Sequence, residues 1–318
     1  MSAWLRHGAV LCAAATLAAC GPARPHRIIS PALAGAQSLS PAQSPYWRPA
    51  DRMVALDGTR VRVRIEGPKK APPVVLLHGF TFSLESWDAW AADLARDHRV
   101  IRYDLSGHGL SDPDPQARYG TMDRVRQLRA LLDKLGIARA SLAGNSFGGL
   151  VAWNFAVLYP GRVDRLILVD SAAYSINGVT ERPVPVPPAM RAYLRTPQPA
   201  AVAASAGLVF ARPERLPPAR LDLMRAMIAR PGNGAALIAH LEQFTLPEPT
   251  ALLGRIAAPT LILWGRDDRV VPVDHAERLA AAIPRARRIV YENVGHAPQE
   301  ELPTRSLADV RAFLTENP

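Results

Sequence analysis

Leu142-Ala143-Gly144-Asn145-Ser146-Phe147-Gly148-Gly149 sets one serine among glycines directly after a run, Ala140 to Gly144, that reads as a buried strand. A glycine two residues before Ser146 and another two after it mark backbone folded too tightly to admit side chains. The stretch that follows, Phe147 to Tyr159, has the length and spacing of a helix, so the serine falls on a strand-to-helix turn. Such a turn pushes the hydroxyl out at the edge of a sheet, where the N-terminus of the helix favours negative charge. Glycine and serine are also common in plain turns, so the octet gains its meaning from the rest of the chain.

The flanking sequence alternates. PVVLLHG (Pro73 to Gly79), RVIRYDL (Arg99 to Leu105), ASLAG (Ala140 to Gly144), RLILVD (Arg165 to Asp170), PTLILWG (Pro259 to Gly265) and RRIVYENV (Arg287 to Val294) are short and β-rich. Leu84 to Arg96 and Met122 to Leu135 are amphipathic stretches of helical length between them. Upstream, Met53 to Leu56 and Arg60 to Ile65 are joined by Asp57-Gly58, a hairpin signal. Two hairpin strands and six further runs predict an α/β fold: an eight-stranded, mostly parallel sheet with helices on both faces. From Ser171 to about Arg255 the alternation stops. Tyr174 to Pro199 is proline-rich, and Leu221, Met224 and Ile228, then Leu237, Leu241 and Phe244, recur at helical spacing. This predicts a helical insertion, some of whose side chains roof the strand ends where open α/β sheets bind ligands.

A serine hydroxyl becomes a nucleophile when a base takes its proton, and an acid must orient that base. Asp268 lies in Trp264-Gly265-Arg266-Asp267-Asp268, just past one predicted strand, and His296 lies in Val294-Gly295-His296-Ala297-Pro298, just past the last. Ser146, Asp268 and His296 are therefore the candidate catalytic residues, all expected in loops at one sheet edge. Asp267 and Asp170 are the rival acids, the first beside Asp268 and the second ending the Arg165 to Asp170 run. The other histidines have ordinary readings. His78 and His108 are assigned structural or loop-bonding roles, and His240 and His275, on predicted helices, solvated or capping ones.

Four motifs stand in order: His78-Gly79-Phe80 after the third strand, Asp104-Leu105-Ser106-Gly107-His108-Gly109-Leu110-Ser111-Asp112 after the fourth, Gly144-x-Ser146-x-Gly148, and Gly265-x-x-Asp268 ahead of Gly295-His296. On these, the chain from about Met53 to Phe313 resembles the α/β-hydrolase superfamily, in its branch with a lid inserted after the sixth strand. The resemblance divides the chain into a core, 51–171 and 252–318, and a helical lid, 172–251. It implies an acyl-enzyme mechanism with the backbone N–H groups of Phe80 and Phe147 as the oxyanion hole, and neither metal nor cofactor. A mostly apolar insertion points to carboxylic esters with small or medium apolar acyl or alcohol groups as substrates. Serine at the elbow excludes relatives that use aspartate there. Gly-Asn-Ser-x-Gly-Gly is shared with carbon–carbon bond hydrolases of meta-cleavage type, the alternative hydrolase reading. From another class, a non-catalytic ligand receptor of the same fold remains open.

Lys and Arg total 38 against 28 Asp and Glu, a net charge of +10. These arginines are spread along the chain with no basic run interleaved with aromatics, so a solvated surface is expected and no nucleic-acid partner. MSAWLRHGAVLCAAATLAAC (1–20) has a positive start, a short apolar stretch and small residues before Cys20. Leu17-Ala18-Ala19-Cys20 resembles a bacterial lipobox. It implies a signal peptide over 1–19, lipidation of Cys20 and an anchored protein of the cell envelope, with the outer membrane favoured because Gly21 follows. A plain secretory signal is the alternative. Residues 20–50 turn to Pro, Ser, Ala and Gln without periodicity and read as a flexible tether. Oligomeric state is not legible.

Overall fold

The computed structural model of the protein describes residues 40–316. The expected signal peptide, the expected lipidation site Cys20 and most of the expected tether lie outside the described residues. Eight strands form one sheet: β1 (Asp51–Leu56), β2 (Thr59–Glu66), β3 (Pro73–Leu77), β4 (Arg99–Tyr103), β5 (Ala140–Asn145), β6 (Val163–Val169), β7 (Thr260–Gly265) and β8 (Ala286–Tyr291). Their spatial order is β1-β2-β4-β3-β5-β6-β7-β8. The Asp57-Gly58 turn, with both residues at positive φ, folds β1 antiparallel onto β2, and β2 runs antiparallel to β4. All later pairings are parallel.

The helices are α1 (Asp88–Leu94), α2 (Thr121–Lys134), α3 (Phe147–Leu158), α4 (Pro188–Arg195), α5 (Pro199–Val209), α6 (Pro218–Ala229), α7 (Asn233–Gln243), α8 (Thr250–Leu253), α9 (Asp274–Ala282), α10 (Pro298–Glu301) and α11 (Pro303–Thr315). Each central strand sends alternate side chains to opposite faces. Val75 and Leu77 of β3 and Ile262 and Trp264 of β7 enter a core with Val125 and Leu128 of α2 and Phe155 of α3. Val74 and Leu76, then Leu261 and Leu263, enter a second core with Trp90 of α1 and Val310 and Phe313 of α11. Burying a large apolar side chain is worth about 1.5–3 kcal/mol, so the two-sided apolar strands commit the sheet to helices on both faces.

Helices α4 to α8 fill the connection from β6 to β7, where the alternation stops in the sequence. Parallel strands bring β5, β6, β7 and β8 to the same edge, so the residues that follow each of them meet there. The loop from Asp104 to Asp112 is fixed from within. Asp104 accepts hydrogen bonds from the Leu84 N–H (2.7 Å) and the Leu110 N–H (2.8 Å), which holds the loop against the segment entering α1.

Residues 40–50, grouped by composition with the tether, lie on the body. Tyr46 and Trp47 pack with Leu110, Leu223 and Met227, and the Tyr46 carbonyl accepts a hydrogen bond from buried Arg62 at 2.7 Å. Two aromatics among prolines and serines supply an apolar contact that low periodicity conceals. Among the described residues no helix is long and apolar enough to cross a membrane.

Candidate active site

Ser146 follows β5 and caps α3 with φ 54° and ψ −118°, a conformation that costs a non-glycine residue energy. Its neighbours enforce it. The Ser146 N–H donates to the Val169 carbonyl at 2.9 Å, and its carbonyl accepts from Leu150 and Ala172, both at 3.1 Å. A Cβ at Gly144 would stand 2.3 Å from the Gly148 carbonyl oxygen, and one at Gly148 would stand 2.2 Å from that of Leu77. Both glycines are thus required by backbone contact across the strand-to-helix turn.

Asp268 follows β7 and His296 follows β8. The Nδ1–H of His296 donates to Asp268 Oδ2 at 2.7 Å, with the carboxylate side chain shut off from solvent and the imidazole nearly so. Asp268 Oδ1 accepts the N–H groups of Val270 (2.7 Å) and Val271 (3.0 Å), so a local turn fixes the carboxylate before it meets the ring. Asp267, the neighbouring rival, is exposed. With Nδ1 engaged by Asp268, the Nε2 of His296 is the nitrogen left for another partner. Asn145, beside Ser146, donates from Nδ2 to the His296 carbonyl at 3.0 Å, which ties the serine turn to the histidine loop. Among the described residues no hydrogen bond joins the Ser146 hydroxyl to the His296 ring. Such contacts commonly tighten only when substrate binds.

The other side of Ser146 is the Gly79-Phe80 turn. A Cβ on Gly79 would come within 3.1 Å of Ser146 Cβ, and Thr81 stands at φ 61°. His78 shapes this turn in the predicted loop-bonding role: its Nδ1 pairs with the Gly79 carbonyl at 2.8 Å and its Nε2 accepts the Leu105 N–H at 3.0 Å. Burial holds its pKa down at about 4, with the nearby Arg124 charge acting in the same direction. Among the described residues, neither the Phe80 N–H nor the Phe147 N–H has a backbone or side-chain acceptor. Two main-chain donors are left free beside the serine.

His240 departs from expectation. The sequence reading makes it solvated or capping, yet it is buried on α7 with its ring 4.2 Å from that of Phe147 and 5.1 Å from that of Phe80. His275 is buried as well. Helical spacing alone does not reveal which face a distant aromatic will cover. Glu301 is a residue the sequence reading passed over. It accepts the Gly295 N–H with Oε1 and the Ala211 N–H with Oε2, each at 2.8 Å, while the His296 N–H donates to the Val209 carbonyl at 2.7 Å. The end of α5 is therefore fastened to the histidine loop from both sides. The only sequence signal was a carboxylate five residues past His296.

Asp170, the second rival acid, lies in the same cluster: Asp170, Asp268 and His296 each offer an atom within 4.8 Å of the others. The direct bond between His296 and Asp268, and the N–H donors on Asp268, assign this spacing to proton-linked side chains.

This architecture recurs among known proteins. A family model described as alpha/beta hydrolase fold matches residues 72–303. The 2-hydroxy-6-oxononadienedioate/2-hydroxy-6-oxononatrienedioate hydrolase of Cupriavidus pinatubonensis is 33% identical over 240 residues, 73% of this chain and 82% of that one. Among solved structures, a membrane phospholipase A described as a bacterial virulence factor superposes with TM-score 0.73 at 30% identity, covering 83% of this chain and 85% of the other. The meta-cleavage product hydrolase CumD of Pseudomonas fluorescens superposes with TM-score 0.73 at 25% identity, covering 83% and 97%. With its sheet order, its serine turn and a family match over most of its length, the chain belongs to the alpha/beta hydrolase fold family.

Proposed function

We propose that the protein is a serine hydrolase of carboxylic esters, with Ser146 as nucleophile, His296 as general base and acid, and Asp268 as the group that orients the histidine and stabilises the imidazolium formed when it takes the serine proton. The observation that carries this reading is the 2.7 Å bond from His296 Nδ1 to Asp268, placed at the sheet edge where Ser146 is held in a strained turn. His296 takes the Ser146 proton as the oxygen attacks a carbonyl carbon, and the resulting oxyanion accepts hydrogen bonds from the Phe80 and Phe147 N–H groups. The histidine then passes the proton to the leaving group, and water releases the acyl-enzyme. Helices α4 to α8 act as the lid, and the apolar cluster that Val202 and Phe210 of this segment form with Phe82 favours apolar groups on the substrate.

A second reading is cleavage of a carbon–carbon bond in a ring-fission product. It is supported by Gly144-Asn145-Ser146-Phe147-Gly148-Gly149 and by the identity to the Cupriavidus hydrolase. Turnover of p-nitrophenyl esters graded in acyl length, beside a dienone ring-fission product, separates the two. Ester turnover that disappears in Ser146→Ala supports the first. Dienone turnover with little on esters promotes the second, and ligand-induced stabilisation without turnover of either favours a receptor.

A further inference from the structure

The scheme built on Ser146, His296 and Asp268 leaves one buried carboxyl group without a task. Asp170 follows β6 at φ 44° with no solvent exposure. Its Oδ1 accepts the Gly265 N–H at 2.9 Å, which ties the end of β6 to the end of β7. Its Oδ2 has no N–H or O–H donor. The titratable groups facing it are Asp268 from the loop after β7, His296 and Tyr291 from β8 and the loop beyond, and Glu301 from α10. None of the ion pairs among the described residues includes Asp170, and the one His296 makes here is with Asp268. Two carboxyl groups this close in a dry site cannot both be ionised. Asp268 is the one equipped to carry charge, because it receives two backbone N–H groups and the imidazole N–H, whereas Asp170 receives a single N–H.

We propose that Asp170 is a positioning residue held as a neutral carboxylic acid, whose proton on Oδ2 is donated to Asp268. Burial first, and the neighbouring Asp268 second, push its carboxyl well above the usual carboxylate range. A neutral donor here fixes the Asp268 side chain and leaves one anion behind His296. A second anion would favour the charged imidazolium and keep the histidine from accepting the serine proton.

The inference rests on the proposed roles of Ser146, His296 and Asp268, and the test separates the two. Asp170→Asn retains a neutral group with an N–H donor, and Asp170→Ala removes the donor. The asparagine variant is expected to keep kcat within about threefold of wild type, with the acid limb of its kcat/KM profile unmoved. The alanine variant is expected to lose kcat by roughly tenfold or more while KM changes little, as when an orienting partner is lost. If Asp170 were an anion, its removal in Asp170→Asn would ease deprotonation of His296 and move the acid limb down by about one pH unit or more. That displacement overturns the proposal, as does wild-type kcat in Asp170→Ala. NMR titration of the His296 imidazole in wild type and Asp170→Asn asks the same question without substrate. An unmoved titration supports the neutral acid and a displaced one overturns it, whereas absent turnover with every substrate counts against the hydrolase assignment alone.

Discussion

Ser146 owes its exposure to contacts made by its neighbours: Val169 holds its N–H, Leu150 and Ala172 hold its carbonyl, and no side chain shares the turn at Gly144 or Gly148. Replacing its hydroxyl removes the proposed nucleophile and little else, so Ser146→Ala is expected to fold normally while losing at least about 10³-fold in kcat, measured on the best p-nitrophenyl ester. Asp268→Asn keeps the shape but offers an N–H to Val270 or to the ring where a carboxylate oxygen stood. Its expected loss is roughly 10⁴-fold in kcat. Ser146, Asp268 and His296 were legible as candidates because each sits in a short motif just past a strand end. Asp170 was legible only as a competitor for the role of Asp268, since sequence cannot show that two acids from different strands converge on one imidazole.

At the scale of elements, every strand and the three core helices named from the sequence are present, and their ends shift for local reasons. The expected strand Arg287 to Val294 stops at Tyr291, because Asn293 turns at φ 59°, and the expected strand Arg165 to Asp170 stops at Val169, because Asp170 adopts φ 44°. Period-two apolar patterning locates a strand but not the residue at which its backbone leaves the β region. The fastening between α5 and the histidine loop was illegible for another reason: one carboxylate, Glu301, bridges the N–H groups of Ala211 and Gly295 from segments distant in sequence. Glu301→Ala frees both. The loop carrying His296 is then expected to drift, with kcat falling roughly 10- to 100-fold in steady-state assays and the global fold retained by circular dichroism. Gly148→Ala strikes the backbone of Leu77 and is expected to cost about 1–3 kcal/mol or more in urea denaturation, since α3 cannot move away without lifting the serine turn.

Across the whole molecule, the two apolar cores carry the fold, and the buried histidines couple it to pH. His240 is packed among Phe80, Phe147 and Phe244, and burial, joined by the Arg124 charge, holds its pKa well below the ordinary 6.5. A histidine with a depressed folded pKa contributes its full stability above the unfolded value and loses it as pH falls below that value, because the unfolded chain then binds more protons. His240→Phe keeps an aromatic ring without the titration. Between pH 7.5 and 5, wild type is therefore expected to lose more stability than His240→Phe, by up to about 2 kcal/mol in urea midpoints. Function depends on the sheet as a whole, since β5, β7 and β8 each deliver one candidate residue to a common edge. Whether they act together is read most directly by intact-protein mass spectrometry after incubation with a fluorophosphonate, which phosphonylates an activated serine with loss of fluoride. One adduct at Ser146, formed quickly in wild type, slowly in His296→Ala and not at all in Ser146→Ala, is the expected result. Undiminished labelling of Ser146→Ala, or equal rates in wild type and His296→Ala, would contradict the account.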